Sequence, residues 1–257
     1  MSKRQMSSAF RTVSPVDDEA DDELLYPSSD GEPVGETDWH VASFVLLREA
    51  LEDFFAKRAD VYVATDIFLY YVRGDTDACV APDAMVVKGV AKGFRRVFRT
   101  WVEKAIPCVI IEICSEETWR RDLREKRTDY ERLGIKEYFI FDPEAKYLKP
   151  PLRGFRLRGR KYQELKPNAR GELLSKELGL RLVREDYMLR LVDAASGQPV
   201  LTHQEAKTRA EERAGQAEER AGQAEERADQ AEERAAALEA ELAELRARQG
   251  NRRGSGQ

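Results

Sequence analysis

The chain has 257 residues, 35 % of them charged and 42 % hydrophobic, with a net charge of −5. That excludes a collagen-like chain and a disulfide-built mini-protein, and the length calls for one core domain plus a further segment. No run approaches the roughly 18 uncharged apolar residues of a membrane span, and the opening Met1-Ser2-Lys3-Arg4 is not followed by the apolar stretch of a secretory signal; a soluble, cytoplasmic protein is expected.

The charge is unevenly placed. Residues 1–82 carry 7 Lys/Arg against 17 Asp/Glu, residues 83–170 carry 22 against 13, and residues 171–257 carry 14 against 18. The acidic total therefore hides a basic middle, and it is the local field that matters for contact with phosphate.

Residues 1–30, with the acidic run Asp17 to Glu23 among Ser and Pro, have almost nothing to bury and are expected to be a disordered tail. From Trp39 to Arg58 the apolar residues Val41, Phe44, Val45, Leu47, Leu51, Phe54 and Phe55 recur at three and four, behind Thr37 or Asp38 as a cap, and predict an amphipathic helix. Strands are expected at Val61 to Ala64, Ile67 to Val72, Ala84 to Val87, Cys108 to Cys114 and Tyr138 to Phe141. The run Cys108 to Cys114 is apolar on both faces except at Glu112, as in a central strand covered on both sides, so Glu112 must be paired, protonated or bound to a cation.

Between that strand and the next, Trp119 to Leu133 reads as a helix stopped by Gly134, which makes a βαβ-like unit. Phe155 to Leu157 and Tyr162 to Leu165, around Arg158-Gly159-Arg160, read as an edge hairpin. Together these elements predict a core domain over 31–198.

The heptad Ala210-Glu211-Glu212-Arg213-Ala214-Gly215-Gln216 then repeats as 217–223 and, with Asp229 in place of Gly, as 224–230. Its Ala seam continues into Leu238, Leu242 and Leu245, an a/d pattern that predicts a coiled coil over 202–249 and a homodimer, with a disordered end at 250–257. The competing reading is a lone helix, because an Ala seam buries little area and Gly215 and Gly222 each cost roughly 1 kcal/mol.

The three cysteines form no C-x-x-C pair, and Cys108 and Cys114 are six residues apart in one strand. That is about 20 Å, too far to bridge, so reduced thiols are expected and zinc is not.

Three residues are awkward for a purely structural role: Asp83 after Pro82 at a strand start, Glu112 in the most apolar strand, and Lys126 on the next helix. Carboxylates on neighbouring strands can present oxygens to one hard cation such as Mg²⁺, and a nearby ammonium can orient a bound water and balance charge at a phosphate. Asp122, Lys126 and Tyr130, at i, i+4 and i+8, share a helix face that could point at Glu112. The plain alternatives are a turn cap for Asp83, a buried ion pair for Glu112 with Lys126, and an exposed i,i+4 pair for Asp122 with Lys126. His40 reads as a helix-start or packing residue. Lys88, Lys92, Arg95, Arg96 and Arg99, interleaved with Phe94, Phe98 and Trp101, read either as a DNA-contacting surface or as a solvated basic face.

Pro82-Asp83, then Glu112-Ile113-Cys114, then Asp122-x-x-x-Lys126 resembles the Uma2 family (DUF820) of the PD-(D/E)xK restriction-endonuclease-like superfamily. The resemblance runs over about residues 30–195, through Glu36, Ile106-Pro107, Ser115, Tyr130, Gly134 to Tyr138, Asp142-Pro143 and Ser175 to Leu180. It implies an α/β fold, a mixed sheet flanked by helices, with a Mg²⁺-dependent (or Mn²⁺-dependent) endonuclease site acting on DNA. Asp83 and Glu112 match the metal-binding carboxylates and Glu36 an accessory acid. The superfamily lysine, two residues after the glutamate, is here Cys114, and the family's lysine on the next helix makes Lys126 the candidate. The competing function is a non-catalytic, oligomeric nucleic-acid-binding or scaffold protein that keeps the fold.

Overall fold

The computed structural model describes residues 26–29 and 37–254. The sequence expectations for residues 1–25, for Glu36 and for the last three residues lie outside the described residues. The chain divides into two compact units at His203.

The first unit is built on a six-stranded mixed sheet in the order β1-β4-β6-β7-β8-β9. Its strands are β1 (Val61–Ala64), β4 (Ala84–Lys88), β6 (Val109–Ile113), β7 (Glu137–Phe141), β8 (Leu152–Arg158) and β9 (Lys161–Glu164). Only β6 and β7 run parallel within it. The connection between them is the helical segment expected for a βαβ unit, because parallel neighbours need a crossover.

Two-residue strands β2 (Leu69–Tyr70), β3 (Cys79–Val80) and β5 (Phe98–Arg99) form a small sheet, in place of the longer strand expected over Ile67 to Val72. A meander of β10 (Leu173–Ser175), β11 (Leu180–Glu185) and β12 (Met188–Asp193) forms a third. The β8/β9 hairpin closes at Arg158 opposite Lys161, a two-residue turn in which Gly159 takes φ 60°.

Alternating side chains split the central strands between two cores. Val109, Ile111, Ile113, Phe139 and Phe141 pack with Leu47 and Leu51 of helix α1 (Asp38–Phe54) and with Leu180 and Leu191 of the meander. Ile110, Cys114, Tyr138 and Ile140 pack on the other face with Leu69, Phe98, Tyr130 and Phe155. Glu112, one step out of phase with Ile111, necessarily points into the second core.

Helix α1 starts at the expected Thr37 cap, whose Oγ1 accepts from the His40 N–H at 3.3 Å. Its buried stripe is His40, Ser43, Leu47, Ala50 and Leu51, whereas Val41 and Val45 of the expected stripe stay 41 % and 43 % exposed. The helix also stops at Phe54, short of Arg58. A short α2 (Thr100–Glu103) precedes β6.

The crossover runs α3 (Trp119–Arg121), a π-helical turn (Asp122–Lys126) and α4 (Arg127–Leu133), ending on Gly134 at φ 82°. A π turn takes one residue more than an α turn and changes the facing of the helix beyond it, a device concentrated at functional sites. Here it turns Asp122, Lys126 and Tyr130 inward together.

Several residues of the family resemblance are explained by the scaffold. Buried Glu137 accepts from Ser175 Oγ (2.5 Å), Lys176 N (3.0 Å) and Arg156 Nε (2.6 Å), which ties β7 to β8 and to the turn after β10. Asp142 accepts from the Tyr147 and Leu148 amides at 2.6 and 2.8 Å and shapes the loop after β7.

The second unit is one helix, α5 (His203–Gly254), 52 residues and about 78 Å long. It continues past residue 250, where the sequence predicted disorder, since adding residues to an already formed helix avoids the nucleation cost even through Gly250 and Asn251. Leu238 and Leu242 are 57 % and 52 % exposed.

Gly154 faces Phe139 across the β7/β8 ladder, and a Cβ there would stand 2.8 Å from the Phe139 ring and 3.0 Å from Leu173 Cδ1. Gly154→Ala is expected to destabilise the first unit by about 1–3 kcal/mol, because both neighbours are held in the core. An unchanged melting temperature would contradict this packing.

Candidate active site

The register of β4 against β6 places Ala84 opposite Ile111, and one step further sets Asp83 opposite Glu112. Two residues 29 apart in sequence thus meet at the ends of neighbouring strands. Asp83 Oδ2 accepts from the Ile113 N–H at 2.5 Å, which fixes the carboxylate across the gap between the strands. It is not the turn cap that its place after Pro82 allowed.

Glu112 is fully buried and both its oxygens are engaged. Lys126 Nζ lies 2.8 Å from Oε2, and the Tyr130 hydroxyl donates to Oε1 at 2.5 Å. Lys126 also lies 3.0 Å from Asp122 Oδ1, and Asp122 is 1 % exposed, so the pair is not an exposed surface bridge. The predicted helix face therefore does converge on Glu112. The Tyr138 hydroxyl donates to the Asp122 carbonyl at 2.9 Å and pins the π turn to β7.

His40 is a member of the cluster that the sequence did not assign to it. Its Nε2 lies 3.1 Å from Asp83 Oδ1, so α1 reaches the cluster from the opposite side to Lys126. The available signal was its place on a stripe with Ser43 and Leu47, three and four residues apart, which puts a polar ring on the buried face.

The electrostatics reflect three carboxylates sharing one ammonium. Burial, together with the charges of Asp83 and Asp122, pushes Glu112 up to about 8 despite the pull of Lys126. Burial also lifts Asp122 above the ordinary carboxylate range, against the same pull. At Asp83 burial is outweighed by the His40 hydrogen bond, the Lys126 charge and the Ile113 amide, which hold it below its ordinary value. Lys126 is held above its ordinary value because Glu112, Asp122 and Asp83 surround it, although burial acts the other way.

The cluster is thus short of positive charge, and near neutrality Glu112 makes up part of the shortfall with a proton. A divalent cation at Asp83 and Glu112 would make it up instead, and on this ground the donor set fits one. Among the described residues no three His, Cys, Asp or Glu side chains are arranged to hold a metal alone. Magnesium does not need them, since it keeps several waters and is bound through one or two carboxylates.

The basic run between the two carboxylates is largely committed to the protein itself. Lys88 donates to the Glu177 carbonyl at 2.5 Å, Lys92 to the Phe55 carbonyl at 2.8 Å, and Arg95 to both oxygens of Glu103 at 2.6 and 3.1 Å while lying over Tyr62. Arg99 lies over Tyr26 and Arg96 reaches Ser28 at 3.4 Å. This segment reads as a clamp across the sheet edge, because its cations are spent on internal acceptors and rings.

The unfolded Glu112 loses its proton near 4.5, the folded one near 8. Its protonation therefore favours the folded state fully below about 4.5, and that contribution is lost as pH rises toward 8, by at most about 1.4 kcal/mol per pH unit. In chelator, the melting temperature of the wild type should fall relative to Glu112→Gln between pH 5.5 and 8.5. Parallel pH profiles for the two proteins would show that Glu112 is not the proton-holding group.

A family model described as "Putative restriction endonuclease", Uma2, matches residues 15–190. No curated protein matches the chain. Among solved structures, a crystal structure of "a putative nuclease belonging to DUF820" from Anabaena variabilis is similar, at 14 % identity and a TM-score of 0.42, over 62 % of this chain and 89 % of that one. With the family model spanning more than half of its residues, the chain belongs to the Uma2 family.

Proposed function

We propose that this protein is a magnesium-dependent endonuclease that hydrolyses phosphodiester bonds of DNA, with Mn²⁺ an acceptable substitute. The observation that carries the reading is the juxtaposition of Asp83 and Glu112 across one strand pair, with Lys126 of the crossover reaching Glu112. Asp83 and Glu112 would hold the cation, which when bound supplies Lewis-acid polarisation and a more acidic water.

The chain's own residues do the rest. Lys126 offers an ammonium to the charge that builds on the phosphoryl oxygens, and Asp122 at 3.0 Å keeps it aimed. Tyr130 fixes the Glu112 rotamer through Oε1, and His40 with the Ile113 amide fixes Asp83. Tyr130 and Asp122 are thus positioning residues, and Asp83, Glu112 and Lys126 the catalytic set.

Incubation with supercoiled plasmid and single-stranded DNA in Mg²⁺, Mn²⁺ or EDTA tests this. Cleavage should require metal and fall about a hundredfold or more in Asp83→Asn, Glu112→Gln and Lys126→Met. A folded protein that binds DNA and never cuts it, with or without metal, would instead mark a binding or scaffold protein that retains the fold.

The exposed Leu238 and Leu242 on the Ala seam of α5 support a homodimer through this helix. Two joined sites could then cut both strands of a duplex. Light scattering should give twice the 29.4 kDa chain mass for the full protein and a monomer after deletion of residues 202–257. A full-length monomer at tens of micromolar would remove the dimer.

A further inference from the structure

A cavity of about 1230 Å³ opens beside Lys126, on the side of the sheet that carries the crossover helix. Glu112 and Asp122 are sealed from solvent, whereas Lys126 lines the cavity, so the cavity reaches the cluster through the ammonium. One wall is the exposed side of the crossover helix, with Arg121, Arg124 and Arg132. They fall at spacings of three and eight and span about 16 Å. The opposite wall carries Phe68 and Tyr70.

Acidic residues are present too. Asp129 lies 3.9 Å from Arg132 and also feels the charge of Arg121, while Asp77 and Glu125 line the cavity as well. Arg121 and Arg124 are exposed and, among the described residues, make no ion pair. They are exposed cations next to the site, while the run from Lys88 to Arg99 is largely bound to groups of the fold itself.

We infer that this cavity admits a single strand of nucleic acid, with Arg121 and Arg124 on its phosphates and Phe68 against a base. The inference rests on the nuclease reading and adds the route and the substrate form. Guanidiniums suit phosphate oxygens through their planar fork, and an aromatic face accepts any base. A duplex, with a persistence length of about 50 nm, does not bend into a concave site of this size, whereas a single strand does. A scissile phosphate must approach a carboxylate pair of which Glu112 is fully buried and the Asp83 side chain only 18 % exposed, which favours the flexible form.

Fluorescence anisotropy with a labelled single-stranded oligonucleotide and its duplex, in EDTA so that no cleavage intervenes, tests the binding. The full-length wild type should bind the single strand at least tenfold more tightly than the duplex. Arg121→Gln/Arg124→Gln should weaken single-strand binding about tenfold at low salt. It should also lessen the slope of log K against log salt by about 1.4, near 0.7 per lost phosphate contact. Arg170→Gln, in the exposed turn before β10 and away from the cavity lining, should bind as the wild type does. Unchanged binding by the double variant, or preference for the duplex, overturns the inference and leaves the nuclease reading to the plasmid assay. A wild type that binds neither nucleic acid and cuts neither overturns both.

Discussion

The structure turns on burying three carboxylates against a single ammonium. Asp83, Glu112 and Asp122 come from β4, β6 and the π turn, and Lys126 is the group that their fields share. An isolated carboxylate in such a place would be prohibitively costly, and replacing the cluster with apolar side chains of similar volume would suit stability at least as well. Burial and the two neighbouring carboxylates hold Glu112 well above the ordinary carboxylate range, against the pull of Lys126. The remaining features of the fold hold this cluster in place.

The holding is done by rigid elements. Because β6 is covered on both faces, the period of two leaves Glu112 only one direction, toward Tyr130 and Tyr138. The Asp83 carboxylate is locked by a backbone amide of the same strand that carries Glu112, so the two cannot drift apart without breaking the sheet. The π turn sets the phase of the crossover: Asp122 and Lys126 lie within it and Tyr130 one turn beyond, and all three are buried on the same side. A clamp on β7, from the Tyr138 hydroxyl to the Asp122 carbonyl, keeps the irregular turn from relaxing.

Much of this was legible in the sequence because it depends on local period. The unbroken apolar run around Glu112 marked a central strand, and the i, i+4, i+8 spacing put Asp122, Lys126 and Tyr130 on one face. Less was legible where long-range contacts decide. The amphipathic pattern of α1 misplaced its buried stripe by counting Val41 and Val45 as core, when small Ser43 and Ala50 let the helix approach the sheet instead. His40 could not be assigned because its partner is 43 residues away in sequence. The basic run from Lys88 to Arg99 was ambiguous for the same reason: charge density is visible in the sequence, but the carbonyls of Phe55 and Glu177 that absorb it are not.

The presence of Cys114 where the resemblance implies a lysine has a physical reading in this geometry. A lysine two residues after Glu112 on the same strand would point to the same side, into the space that Lys126 occupies from above. Cys114 is buried there, and burial first, then the neighbouring carboxylates, keeps its thiol protonated. It is small and uncharged, and it leaves that space to the helix. Moving the ammonium from strand to helix gives it a second carboxylate partner in Asp122, available only at i−4 on a helical segment. Lys126 is thereby oriented by two carboxylates, whereas a lysine on the strand beside Glu112 would lack the Asp122 anchor. The cost is dependence on the π turn: whatever straightens Asp122–Lys126 into a regular α-helix rotates the ammonium away from Glu112, even with every residue of the cluster still present.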